Sequence, residues 1–111
     1  MKKTREQFID ENAVLFWYIR KDKLHQISDE VLVEFILNYA DLPQIKQLFK
    51  IVGEKKVADI VEKNIIKVKE NKRQNYFKST LNLFGQYFAS KGLLKYTLNE
   101  TEKYSKNVFL Q

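Results

Sequence analysis

Cysteine is absent from this chain of 111 residues, which excludes a disulfide framework and any thiolate nucleophile or ligand. Histidine occurs once, at His25, so no second imidazole exists to share a transition metal. Proline also occurs once and glycine three times; that scarcity argues against a turn-rich β fold and for helices. No apolar run approaches the roughly 20 residues that span a bilayer. The residues after Met1 are polar and form no apolar signal core. Together these absences lead to the expectation of a soluble, cytoplasmic protein with no membrane partner. Glycine-rich phosphate loops, nucleophile elbows and nucleophile–base pairings are missing too. The expectation is therefore a chain that is not an enzyme and holds no cofactor or metal.

What is present is basic and aromatic. The formal net charge is +6, and 14% of the residues are Phe, Trp or Tyr. The charge permits nucleic acid or an acidic protein as a partner. A chain of this length can bury about two-thirds of its unfolded surface, enough for one core without staples. The fold class expected is all-α, a small single-domain bundle of about five helices spanning 1–111, with an arm at 1–13, a core at 14–92 and a tail at 93–111.

Residues 28–64 are the centre of that expectation. Ser28 can cap a helix, with Asp29 and Glu30 at its positive end. Glu30, Glu34 and Asn38 then make one narrow polar stripe on an otherwise apolar helix. Asp41 and Gln44 fit a capping box, with Pro43 in the first turn. Gly53 ends that second helix. A third follows, with Val57, Ile60 and Val61 inward, Asn64 near its end, and Lys55, Lys56, Asp59, Glu62 and Lys63 on a charged face. Leu32, Phe35, Ile36, Leu48, Phe49, Val52, Ile60, Leu81, Phe84 and Phe88 are the expected core. A DNA-reading helix-turn-helix fits poorly, because Phe49 stands where a small residue is needed.

On the N-terminal side, Thr4 and Gln7 form another capping box. The run Val14 to Ile19 is continuously apolar, so periodicity does not decide its conformation; it reads as a helix or a buried extended arm. Trp17 reads there as a core anchor, its rival use being a partner-binding anchor. Residues 65–71 fit a strand, a loop or a continued helix. Residues 73–90 read as one long amphipathic helix carrying Phe77, Leu81, Phe84 and Phe88, a core stripe or a homodimer seam. Gly85 weakens the helix slightly or lets a neighbour approach, and Gly92 marks its end. Beyond it, Asn99 and Glu102 suggest a capped turn, with Tyr104, Val108 and Phe109 able to dock. Lys67, Lys69, Lys72, Arg73 and Lys78, with Lys63 nearby, read as a solvated face, or as a phosphate-binding face with Tyr76 and Phe77 as stacking groups.

Several short marks occur in one order: Leu15-Phe16-Trp17, Lys23-Leu24, Asn38-Tyr39-Ala40-Asp41, Ile45 to Phe49 ahead of Gly53, and Asn75-Tyr76-Phe77. Over about residues 14–83 the chain resembles a family of small bacterial helical proteins. That family opens with Leu-Phe-Trp, has a Tyr-Gly-Asp-like helix junction and is often encoded beside abortive-infection nucleotidyltransferase-type toxins. It departs from the family pattern at Tyr18, His25 and Ala40. The family transfers no catalytic residue. The resemblance implies a non-enzymatic protein–protein interaction module, antitoxin-like companion of such a toxin. Trp17 and Tyr76 are the candidate anchors. The alternatives are a basic nucleic-acid-binding or regulatory domain and a small enzyme of unassigned class.

Overall fold

The computed structural model describes residues 3–94. Among them the chain is all-α, with five α-helices, two 3₁₀ segments and no strand. The helices are α1 (Arg5–Glu11), α2 (Asp29–Tyr39), α3 (Leu42–Val52), α4 (Glu54–Lys69) and α5 (Lys78–Ser90). The chain divides between Glu54 and Lys55 into two compact units. The expected turn at Asn99 and Glu102, and the docking of Tyr104, Val108 and Phe109, lie outside the described residues.

In the first unit the two capping residues act as their chemistry suggests. The Thr4 hydroxyl accepts from the Gln7 amide at 3.1 Å, and the Thr4 amide donates to Gln7 Oε1 at 3.0 Å. That reciprocal pair satisfies two donors that a helix start leaves open. Ser28 Oγ accepts from the Val31 amide at 3.1 Å and opens α2. The second expected box is not made: Asp41 caps α3 through its backbone only, the Ile45 amide donating to its carbonyl. Gln44 turns its Oε1 inward instead, where it is buried without a hydrogen-bond donor.

The apolar run after α1 is neither a regular α-helix nor an extended arm. Asn12 ends α1 by donating its side-chain amide to the Phe8 carbonyl at 2.9 Å. A 3₁₀ segment, Ala13–Phe16, follows, and the Ile19 amide donates back to Phe16. With three residues per turn, side chains three apart eclipse. Phe16 is therefore buried with Ala13 and Ile19 half-covered on its side, while Val14 and Trp17 share the opposite, exposed side.

A second 3₁₀ segment, Lys21–Gln26, leads to α2. Arg5, on α1, holds the end of this connection and the start of α2. Its Nε donates to Asp29 Oδ1 at 3.0 Å, its Nη2 to the Ile27 carbonyl at 2.5 Å and its Nη1 to the His25 carbonyl at 3.3 Å. Phe8, Ile9, Phe16, Leu32, Val33, Ile36 and Leu48 are fully buried in this unit. Phe35, Phe49 and Val52, expected in the core, are half-buried.

In the second unit α4 runs on past Asn64 to Lys69, so residues 65–69 continue the helix. It stops at Asn71, whose φ is +57°. The Lys72 amide donates to the Lys67 carbonyl and the Asn71 amide to Val68, a Schellman cap with asparagine in the left-handed position. Gly92 (φ +69°) closes α5 by the same pattern, Leu93 donating to Phe88 and Gly92 to Ala89. The charged face expected on α4 loses one member: Glu62 is 4% exposed, on the side of the buried Ala58 and Ile65.

The second helix of this unit starts five residues later than its apolar spacing suggests. The Gln74 side chain bonds both backbone groups of Tyr76, its Oε1 accepting from the amide at 2.6 Å and its Nε2 donating to the carbonyl at 3.1 Å. That amide bridge holds the chain extended until Phe77, whose ψ is 146°. Leu81, Phe84 and Phe88 are buried behind it. The two helices run antiparallel: Lys55 Nζ donates to the Leu93 carbonyl at 3.1 Å, and Ile65 lies against Gly85. A Cβ at Gly85 would stand 3.0 Å from Ile65 Cδ1, so glycine is what lets the helices approach.

Candidate interaction surfaces

The exposed large apolar side chains of the first unit are Val14, Trp17, Tyr18, Tyr39 and Leu42. Two of them, Tyr18 and Tyr39, meet Phe35, half-buried on α2. Its ring centroid lies 5.3 Å from Phe16, 5.4 Å from Tyr18 and 5.7 Å from Tyr39, four residues on along the same helix face. Trp17 meets Tyr18 edge-on at 5.9 Å. A continuous chain of rings thus leads from the buried Phe16 outward to Trp17, which is 83% exposed.

That exposure corrects the reading of Trp17 as a core anchor. Large apolar groups grouped on a surface commonly mark an interaction site. Ring-to-ring contacts fix most of them in advance, which lowers the ordering cost of association. The Tyr18 phenol is held above its usual pKa, first by partial desolvation, then by the nearby Glu34 carboxylate and Tyr39. At neutral pH the surface therefore presents a neutral hydroxyl beside its rings.

Tyr76, the other candidate anchor, is 5% exposed. The Gln74 bridge turns it inward, so a partner does not reach its ring on this surface. The aromatic surface instead contains Tyr18 and Tyr39, which sequence reasoning did not single out. The available signal was the i, i+4 pair Phe35–Tyr39 on α2. On α5 the stripe serves the core of its own unit, while Phe77 and Leu83 remain exposed. Leu81, Phe84 and Phe88 are already covered by the chain itself.

The His25 Nε2 is paired with Asp10 Oδ1 at 2.7 Å. Among the described residues no group of three or more His, Asp or Glu side chains gathers as a metal site requires.

The basic residues fall at one end of the second unit. Lys67 and Lys69 stand on the last turn of α4, Lys72 and Arg73 follow its cap, and Lys78 opens α5. All five are exposed, as is Lys63 one turn before Lys67. Glu70 pairs with Lys72 at 3.2 Å. Phe77 is the N-cap of α5 and is 47% exposed. No described helix is long and apolar enough to cross a membrane.

No family model, no curated protein and no solved structure matches the chain.

Proposed function

We propose that this chain is a protein–protein interaction module that docks a separately encoded partner on the aromatic surface of its first unit. The observation that carries the reading is the exposure of Trp17 at the end of the Phe16–Phe35–Tyr18 ring chain. Tryptophan and tyrosine bury large area with few rotors to freeze, and they dominate interface energetics wherever they are central. The resemblance in the sequence supplies the partner to try first, a nucleotidyltransferase-type toxin encoded beside this chain. In that setting the module acts as an antitoxin-like companion, by binding and without chemistry of its own.

Co-expression tests this. A tagged chain should retain the neighbouring gene product, and a Trp17→Ala variant with unchanged helix content should release it. Retention undiminished by both Trp17→Ala and Tyr39→Ala would remove the aromatic surface from the account.

A further inference from the structure

We propose that the basic end of the second unit binds single-stranded nucleic acid, independently of the aromatic surface. Lys63 and Lys67 lie one turn apart on α4, so they share a face. Arg73 leaves the cap of α4, and Lys78 opens the antiparallel α5 at the same end of the hairpin. None of these four has a carboxylate partner among the described residues. The one acid in this stretch, Glu70, is taken up by Lys72.

The surroundings favour phosphate over an acidic protein. The first turn of α5 contains no acidic residue, and its N-cap offers no side-chain acceptor. The open amides and the positive end of the helix dipole thus add to the side-chain charge. Phe77, half-exposed at the start of α5 and next to Lys78 in the chain, offers a ring on which a base can stack. Cations that follow a backbone, interleaved with an aromatic face, are what sequence-tolerant single-strand binders use. A duplex keeps its bases stacked inward and gains nothing from that ring.

The test is fluorescence anisotropy of the full-length chain with a labelled mixed-sequence single strand. With four phosphate contacts, affinity should fall about 50-fold between 50 and 200 mM salt. Lys67→Glu with Arg73→Glu should weaken binding at least tenfold and lower the logarithmic salt slope by about 1.4, whatever the sequence. Lys67→Gln with Arg73→Gln serves if reversal disturbs the helices. Phe77→Ala should weaken single-strand binding roughly tenfold and leave duplex binding unchanged. Trp17→Ala should leave all of it unchanged, which separates this site from the proposed docking surface. A flat salt response, indifference to both charge pairs, or equal binding of polyglutamate would overturn the proposal. Loss of binding in Trp17→Ala would place it elsewhere, and an inert Phe77→Ala would overturn the single-strand assignment.

Discussion

Replacing Gly85 with alanine sets two effects of similar size against each other. Alanine in a helix interior is favoured over glycine by about 0.8–1.0 kcal/mol. The new Cβ, however, would stand 3.0 Å from Ile65 Cδ1, inside the roughly 3.5–4.0 Å optimum for two carbons. Ile65 is only 3% exposed, so its methyl group has little room to retreat. Overpacking of this kind costs about 1–3 kcal/mol. The expected sum for Gly85→Ala is a loss of about 1 kcal/mol. Ile65→Val removes the obstructing methyl and by itself costs about 0.5–1.5 kcal/mol. In that background Gly85→Ala should become stabilising, which gives a favourable coupling of about 1–2 kcal/mol in the double-mutant cycle. Urea unfolding followed by far-ultraviolet circular dichroism measures all four proteins. Additivity within about 0.5 kcal/mol would refute the close approach of α4 and α5 at this point.

Arg5→Ala should cost about 2–3 kcal/mol, because it removes charge-assisted bonds to Asp29 and two carbonyls; Arg5→Lys should recover little, since an ammonium lacks the planar fork. Phe35→Ala should cost about 2 kcal/mol in the same urea assay, below the range for a fully buried phenylalanine because its ring is half-exposed. The raised pKa of Tyr18 means that the folded state holds the phenolic proton more tightly than the unfolded state. Its contribution is complete below pH 10, the ordinary tyrosine value, and is lost as pH rises through the higher folded value. Tyr18→Phe should therefore lose less stability than wild type between pH 9 and pH 11 in paired urea titrations.

What the sequence made legible was mostly local. Thr4 with Gln7 and Ser28 with Val31 are bonds across three residues, and no distant packing is needed to form them. Gly92 closes α5 for an equally local reason. The failures came where a longer-range or unusual local bond competed. The run from Val14 to Ile19 has no α or β period, so only its 3₁₀ winding shows which rings point outward. Gln74 overrides the helical spacing of residues 73–77 by bonding Tyr76. Asp41 and Gln44 have the right spacing for a box, yet Gln44 turns inward. The basic residues were all identified, but the exposed Phe77 among them depends on where α5 begins. The aromatic surface was half-legible: Trp17 was named, while Tyr18 joins it to α2 by meeting Phe35, a contact between segments distant in sequence.

Trp17 is the chain's sole tryptophan, so it reports on the proposed docking surface without ambiguity. Incorporating fluorotryptophan into this chain alone gives a single fluorine resonance that can be followed as the unlabelled neighbouring gene product is added. If the aromatic surface docks that partner, the resonance should shift saturably and lose its sensitivity to solvent isotope as the indole is covered. A complex that forms while Trp17 keeps its free chemical shift and full solvent exposure would contradict the account.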